Sequence, residues 1–209
     1  MRELIRELIE TVLLALLIFL VLQFSVQNFR VEGSSMQPTL TEGQYLLVNK
    51  IVYLRVANES LASLLPWVES EDDRSLFAFH QPEHGEVIIF HFPRDPSRDF
   101  VKRVIGVPGD VIEIQQGTVS VNGVALDEPY ITQHDSRTIG RLEVQPDSFY
   151  VLGDNRRASN DSRDWGFVPA ENVIGRAWVS YWPPENFHIL SAFTQLLSLV
   201  AAIPNTILR

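Results

Sequence analysis

The hydrophobic pattern divides the chain into one continuous apolar stretch near its start and a longer region of short apolar runs. Residues 8–26 are mostly apolar, with Glu10 and Gln23 as the main interruptions. A helix that crosses the hydrocarbon core of a bilayer needs about 20 mostly apolar residues. The pattern therefore predicts a transmembrane helix within residues 1–27. A removable secretory signal would have a shorter apolar region and a small-residue cleavage site, so we expect a retained anchor.

Basic residues near the ends of this helix predict its orientation. Arg2 and Arg6 precede the apolar run, and Arg30 follows it. Because cytoplasmic flanks carry an excess of Lys and Arg, the bias weakly predicts a cytoplasmic N-terminus, with the rest of the chain on the extracytoplasmic side.

From residue 28 onward the apolar positions form brief runs that are rich in branched and aromatic side chains. The runs that predict strands are 45–49, 87–92, 100–105, 111–114, 118–121, 148–152 and 177–181. Clusters of Gly, Pro, Asn and Asp bound them, and Asn122-Gly123 is a strong hairpin signal. Many short strands without alternating long helices predict a mainly β, antiparallel protein.

Two segments depart from this pattern. Residues 56–82, called the insertion here, mix large apolar side chains with an acidic cluster and interrupt the strand pattern. This insertion fits two interpretations equally: a surface excursion with a small core of its own, or a functional lid or membrane-touching flap. The tail, 186–209, is apolar from 189 to 203 but short for a second span, so we expect a helix packed on the body or lying in the membrane interface.

Composition and charge narrow the function. The chain has 209 residues, 45% of them hydrophobic, and a formal net charge of -9, which argues against nucleic-acid binding and gives no polybasic patch for anionic lipid. The absence of cysteine excludes disulfides, thiol catalysis and Cys-based zinc sites. His80, His84 and His91 match no His-Glu-x-x-His pattern, so we expect loop or strand-surface histidines, no metal and no cofactor.

The candidate chemistry is a serine with a lysine base. Ser35 lies in Gly-Ser-Ser-Met-Gln-Pro-Thr-Leu, residues 33–40, and a serine hydroxyl needs a base to become a nucleophile. None of the five histidines lies in a recognisable serine-hydrolase motif, and Lys102 is the better candidate. A lysine is a base only when neutral, and burial favours that form by lowering its pKa.

Strand alternation gives Lys102 a suitable environment. Phe100, Lys102 and Val104 would share one face of a strand, so we expect Lys102 to point into the body and Arg103 to face solvent. In the alternative interpretation both basic residues lie at a solvent-facing strand edge.

Four blocks, in this order, resemble the bacterial type I signal peptidases, a family of membrane-anchored Ser/Lys endopeptidases: 33–40, Phe-Val-Lys-Arg-Val-Ile-Gly-Val-Pro-Gly-Asp at 100–110, Gly-Asp-Asn-Arg at 153–156 and Asp-Ser-Arg-Asp-Trp-Gly at 161–166. The resemblance covers nearly all of 29–181 apart from 56–82. It implies a LexA/signal-peptidase-like antiparallel β catalytic domain at 28–106 and 147–185, with a small β subdomain inserted at 107–146. It also implies peptide-bond hydrolysis through an acyl-enzyme.

The resemblance assigns roles to particular residues. Ser35 is the nucleophile, because it directly precedes Met-x-Pro-Thr, and Lys102 is the general base. Ser159 is implied to orient the lysine, with Asp161 and Arg163 as a structural ion pair behind it. Some relatives carry a serine two positions before the nucleophile as an oxyanion donor, but here Gly33 occupies that position. The second donor is then a backbone N–H, a water or the Ser34 hydroxyl.

The implied substrate is an exported preprotein that carries a signal peptide. Its extended chain would add a strand between the edges at 29–33 and 99–102. The residues expected to line this substrate site are Phe29, Val31, Gly33, Met36, Leu40, Phe100 and Val101. The implied preference is for small residues at the first and third positions before the cut, as in Ala-x-Ala. The expected location is the plasma (inner) membrane or a thylakoid-type internal membrane, with lipid as the other partner.

Two alternative functions stay open. A LexA-like self-cleaving protein shares the dyad and the β fold, but it would need a DNA-binding domain where this chain has its apolar run. A membrane-tethered β binding module without activity is the other alternative, against which the presence of Ser35, Lys102 and Ser159 together argues.

Overall fold

The computed structural model describes residues 2–56, 76–77 and 80–190 of the chain. Helix α1, Arg2–Ser25, contains the apolar segment Glu3–Ser25, which has a mean hydropathy of 2.4 and is not buried against the other described residues. The predicted apolar helix is therefore present, and its length and composition are sufficient to cross a membrane.

The regular secondary structure in the rest of the described chain is almost entirely β. The strands are β1 Val26–Arg30, β2 Tyr45–Asn49, β3 Arg55–Val56, β4 Leu76–Phe77, β5 Val87–Phe92, β6 Asp95–Gly106, β7 Val111–Gln115, β8 Thr118–Val121, β9 Val124–Ala125, β10 Ile139–Glu143, β11 Ser148–Leu152, β12 Val168–Pro169, β13 Val173–Trp182 and β14 His188–Ile189. A short helix, α2 Ser162–Trp165, follows β11. All seven predicted strands are present, and the prediction of a mainly antiparallel β protein is confirmed.

The main sheet has the order β1-β2-β13-β5-β6-β11-β12, with β14 paired to β13. Its pairings are antiparallel, and β5 and β6 form a long hairpin in which Ile88 lies opposite Lys102. Two buried clusters pack on this sheet: one contains Val31, Met36 and Leu40, and the other contains Ile88 and Val104.

A second, four-stranded sheet has the order β10-β7-β8-β9 and lies within the 107–146 range expected for the inserted subdomain. Asn122 and Gly123 both have positive φ at the β8–β9 turn, as the hairpin signal predicted. A third buried cluster joins Ile112 and Ile114 of this sheet to Ile105 of β6 and Tyr150 of β11. The domain boundaries themselves remain a prediction.

One expectation about β6 is wrong. Arg103 is buried rather than facing solvent, because its strand is covered on both sides: Val104 packs in one cluster, and Ile105 packs in another. Alternating burial requires one solvent-exposed face of the strand, and residues 102–106 of β6 have none.

Two expectations lie largely outside the described residues. Of the insertion 56–82, the structure describes only Val56, β4 and residues 80–82, so neither the surface-excursion nor the lid interpretation is tested. Of the tail 186–209, it describes residues 186–190, including β14, and the helix expected beyond them lies outside the described part.

Candidate active site

Lys102 and Ser35 meet at the centre of the candidate site. Lys102 lies in β6 and is only 4% exposed, which excludes the alternative of a solvent-facing edge. Its Nζ lies 2.8 Å from Ser35 Oγ and 2.9 Å from the Val101 carbonyl oxygen. The structure thus brings the two residues together across 67 positions of sequence, at hydrogen-bond distance.

The environment of Lys102 favours its neutral form. Burial lowers the pKa of Lys102 to about 8, although the charges of Asp161 and Asp154 act in the opposite direction. The Phe100 ring, whose centre lies 5.1 Å from Nζ, also favours the charged form, so burial is what lowers the pKa. A lysine with this pKa is substantially neutral at mildly alkaline pH, so it can accept a proton from a hydroxyl.

The loop that carries Ser35 is held by two sets of contacts, one with the hydrophobic core and one with Asn155. Met36 and Leu40 are 1% and 0% exposed in the core beneath the loop, and the Leu40 N–H donates to the Met36 carbonyl. From the side, Asn155 donates its Nδ2–H to the Ser34 carbonyl at 3.1 Å and its backbone N–H to the Ser35 carbonyl at 3.0 Å. These contacts fix the backbone on both sides of the Ser34–Ser35 peptide bond.

The expectation that Met36 and Leu40 line the substrate site is therefore wrong. Both side chains point into the buried cluster and do not line the cavity beside Ser35. Their apolar character supports the loop rather than contacting a substrate.

Asp161 and Arg163 form the expected ion pair. Arg163 donates through Nε and Nη2 to the two Asp161 oxygens, each at 2.7 Å, and Asp161 also accepts the Gly153 N–H at 3.0 Å. Burial raises the pKa of Asp161, but the hydrogen bonds and charge of Arg163 outweigh it, so the pKa is lowered overall. Asp161 is thus a fixed anion behind the lysine.

Ser159 is close to this site but makes no hydrogen bond to Lys102. Its hydroxyl is buried, and its interaction with the Asp161 carboxylate helps to lower the pKa of that group. A Cβ on Gly153 would lie 2.2 Å from Ser159 Oγ and 2.5 Å from the Ser35 carbonyl oxygen, so glycine allows these segments to meet. The orienting role implied for Ser159 remains a prediction.

Sequence reasoning missed a second buried ion pair beside the site. Arg103 donates to Asp154 through Nε at 2.9 Å and Nη2 at 2.6 Å, and it donates to the Gly85 carbonyl through Nη1 at 2.7 Å. Asp154 also accepts a hydrogen bond from the Thr39 hydroxyl. Arg103 and Asp154 each lie in one of the motif blocks. Their presence in these blocks was the sequence signal that could have identified the pair.

A cavity of about 640 Å³ opens beside Ser35 and Lys102. Its walls are residues 29–35 on one side and 97–102 on the other, with Leu46, Ile89, Ala158 and Asn160 between them. The expected residues Phe29, Val31, Gly33, Phe100 and Val101 all line it. β11 pairs with β6 only from Arg103 onward, so among the described residues no strand pairs with this edge of 95–102, as a bound peptide strand requires.

The two residues before Ser35 also line this cavity. Gly33 has φ +80°, a conformation that side-chain-bearing residues rarely adopt, and no atom lies within 4 Å of a Cβ placed there. A serine at this position would therefore have room but a strained backbone. Ser34 is the adjacent hydroxyl on the cavity wall.

None of the described histidines lines the cavity beside Ser35. His84 and His91 pair with Asp110 and Asp99 at 2.6 and 2.8 Å. Ligand atoms of His80, Glu83 and Glu86 lie within 4.8 Å of one another, a spacing that a metal ion could use. Glu86, however, already binds Arg176 Nη1 at 2.7 Å and accepts the Tyr53 hydroxyl, so a cation would have to displace an arginine.

Comparisons with known proteins agree with the resemblance of the motif blocks. A family model described as "Signal peptidase, peptidase S26" matches residues 4–182. The probable signal peptidase I-1 of Synechocystis is 33% identical over 92% of this chain and 90% of its own length. The probable signal peptidase I-2 of the same organism is 36% identical over 77% of this chain, but the match spans only 65% of that relative.

Two further matches carry the same name. The signal peptidase I of Bacillus caldolyticus is 34% identical over 78% of this chain and 84% of its own length. A crystal structure of a signal peptidase I from Enterococcus faecalis matches 46% of this chain and 96% of its own, with 32% identity and a TM-score of 0.41.

Proposed function

The chain belongs to the signal peptidase family, peptidase S26, and from this premise we propose that it is a membrane-anchored signal peptidase I in which Ser35 and Lys102 form the catalytic pair. The observation that carries the proposal is the 2.8 Å separation of Ser35 Oγ and a buried Lys102 Nζ. A nucleophile within hydrogen-bond reach of a group that can accept its proton is the arrangement that acyl transfer needs.

In the proposed reaction, neutral Lys102 accepts the Ser35 proton as Oγ attacks the carbonyl carbon of the scissile bond. The tetrahedral intermediate then collapses, the C–N bond breaks, and Lys102 returns the proton to the leaving amine. Water, deprotonated by the same lysine, hydrolyses the ester on Ser35 and regenerates the enzyme.

The developing oxyanion needs donors that are already in place. The Ser35 N–H is the first proposed donor. The Ser34 hydroxyl is the proposed second, because Ser34 lines the same cavity wall and adjoins the nucleophile. Asn155 holds the backbone between them by binding both carbonyls.

The proposed substrates are preproteins cut after small residues, of the Ala-x-Ala type. The cavity presents two chain segments, 29–35 and 97–102, between which an extended peptide can bind as a strand. Phe29, Val31, Phe100 and Val101 form apolar walls there, which suit methyl-sized side chains next to the cut.

The proposed topology places the N-terminus in the cytoplasm and the β domain outside it. Helix α1 supplies the span, and the excess of Arg before it supports this orientation. The membrane is then a plasma membrane or an internal thylakoid-type membrane, where exported preproteins emerge.

Cleavage of an Ala-x-Ala preprotein by the detergent-purified full chain tests the proposal. Ser35→Ala and Lys102→Met should reduce turnover to background, and Lys102→Arg should also fail because a guanidinium stays protonated. Ser34→Ala should lose at most about 10²-fold, the effect of one oxyanion donor. Lys50→Met, at the other lysine of the chain, should cleave at the wild-type rate.

Substantial activity in either Lys102 variant would remove the lysine from the mechanism. If Ser34→Ala had lower cleavage activity than Ser35→Ala, the nucleophile would be Ser34.

A further inference from the structure

The segment 126–138, which joins β9 to β10 and is called the strap here, has no regular secondary structure but makes buried charged contacts. These contacts are directed at the loop 153–163 that follows β11. The pairs between strap and loop are Glu128–Arg156, Gln133–Arg157 and Asp135–Arg163. None of the strap residues lines the cavity beside Ser35.

Glu128 and Arg156 form the first anchor. Arg156 donates through both terminal nitrogens to the two Glu128 oxygens, one bond measuring 2.9 Å, and its Nε donates to the Gly153 carbonyl at 3.1 Å. The two side chains are 3% and 2% exposed. A bidentate pair at this depth fixes geometry as well as charge, so it holds Gly153 against the strap.

Asp135 and Arg163 form the second anchor. Arg163 Nη1 donates to Asp135, while its Nε and Nη2 hold Asp161. The strap is closely packed at this point, because a Cβ on Gly117 would lie 2.0 Å from the Asp135 carbonyl oxygen and the Gly117 N–H donates to the Arg137 carbonyl at 2.9 Å. The turn between β7 and β8 therefore packs directly against the strap.

Tyr130 forms a third contact, with β6. Its ring centre lies 4.0 Å from the guanidinium carbon of Arg103, the residue after Lys102. Its hydroxyl donates to Glu128 Oε1 at 2.7 Å, which links this contact to the first anchor.

The loop that the strap holds is the one that supports Ser35 and Lys102. Asn155 binds the carbonyls of Ser34 and Ser35, and Asp154 and Asp161 are the charged groups that act on Lys102. Movement of this loop would displace the nucleophile and admit water to the lysine.

We propose that the strap is a positioning element, in which Glu128 and Asp135 act through Arg156 and Arg163 to hold Ser35 and Lys102 in register. The four-stranded sheet thereby sets the geometry of the site without touching substrate. This inference rests on the proposed function of the Ser35–Lys102 pair.

The proposal predicts the sign of a pH effect. If the carboxylates act by position, neutralising one loosens the loop, hydrates Lys102 and raises its pKa toward the usual value. If they acted only as charges, removing a negative charge would lower the pKa of Lys102. The groups facing Lys102, namely Ser35, Phe100, Asp154 and Asp161, stay the same in both cases.

The experiment measures kcat and KM against pH for the detergent-purified full chain on an Ala-x-Ala peptide. The variants are Glu128→Gln and Asp135→Asn, and the matched control is Asp127→Asn, which removes an exposed carboxylate from the same strap. A rise of about one unit in the apparent pKa should lower kcat at pH 7 about tenfold, because tenfold less of the lysine is neutral. KM should stay within about twofold, since the strap does not touch the cavity.

The control should show the wild-type profile. Tyr130→Leu removes the ring beside Arg103 without leaving a charge unpaired. If the carboxamide variants do not fold, this variant replaces them in the same measurement and should show the same rise in the apparent pKa. An unshifted profile, or a shift to lower pH, in the folded variants would overturn the proposal. Failure of the proposed function would look different, because wild type would then cleave no faster than Ser35→Ala.

Discussion

At the scale of single residues, Lys102 lowers the stability of the protein in which it is buried. Its pKa of about 8 lies below the usual 10.5 because the charged form is penalised by burial. That difference corresponds to roughly 3 kcal/mol against the folded state wherever the lysine is charged in both states. A buried lysine that can be neutral near physiological pH is therefore a destabilising residue.

Lys102→Met should consequently be inactive but more stable at pH 7, by up to roughly 3 kcal/mol. Between pH 8 and 10.5 the unfolded chain binds more protons than the folded one, so wild-type stability rises with pH. The advantage of the variant should thus be largest below pH 8 and vanish above 10.5. Denaturation of both proteins at pH 7 and pH 10 measures it.

A lower stability of Lys102→Met at pH 7, or a difference that does not change with pH, would show that the lysine is not buried in its charged form. Lys50→Met provides the reference, because Lys50 is the other lysine of the chain and is only partly buried.

The alternation that located Lys102 also shows what a single sequence leaves undetermined. Phe100, Lys102 and Val104 lie on one face as predicted, but Arg103 on the other face is buried by its pairing with Asp154. Local pattern cannot reveal a partner 51 residues away. Met36 and Leu40 were misplaced for a similar reason, since an apolar side chain beside a nucleophile suits either a pocket wall or a core.

At the scale of elements, the loop after β11 is held by close packing at Gly153. A methyl group there would meet Ser159 and the Ser35 carbonyl at distances well below van der Waals contact. Gly153→Ala should therefore cost about 1–3 kcal/mol in stability, as overpacking usually does. It should cost more in activity, about 10²-fold in kcat, because it displaces the backbone of Ser35, the proposed nucleophile.

Gly140→Ala is the matched control, since a Cβ at Gly140 meets nothing within 4 Å. Melting and turnover of the two variants separate local crowding from a general effect of adding a methyl group. Full activity in Gly153→Ala would mean that the loop can shift without moving Ser35.

The strands that the sequence predicted are those with clear apolar runs, such as β2, β5 and β11. β10 was missed because Gly140 and Arg141 are exposed and its pairing with β7 is irregular between Ile139 and Leu142. β1 was missed because its first residue continues the apolar run of α1. The ion pairs of the strap left no local signal, because each joins residues about 28 positions apart.

At the scale of the whole molecule, helix α1 and the cavity beside Ser35 are directly connected. Helix α1 ends at Ser25 and β1 begins at Val26, without a linker. The Ser25 carbonyl accepts the Lys50 N–H at 2.9 Å, and Phe29 of β1 lines the cavity. Ser35 follows the helix by ten residues, so an extended chain keeps it within about 35 Å of the helix end.

This connection predicts two different truncation effects. The cleavage site of a preprotein emerges near the membrane surface, and a tethered enzyme meets it at a raised effective concentration. Deleting residues 2–25 should leave cleavage of short peptides within a few-fold of wild type but slow a membrane-embedded preprotein about 10²-fold, the scale of a lost tether. Deleting 2–30 should impair both, because β1 supplies one wall of the cavity.

The control replaces residues 2–25 with an unrelated apolar helix of the same length. This chain should cleave the membrane-embedded preprotein at the rate of the full chain. Equal rates for the truncated and full chains on that substrate would mean that α1 serves localisation alone. The exposed aromatic side chains Trp178, Trp182 and Phe187 could then supply the membrane contact, since such residues favour the bilayer interface. Replacing the three by serine in the truncated chain would separate these cases, because the embedded preprotein should slow only if the aromatic surface, and not the helix, holds the enzyme at the membrane.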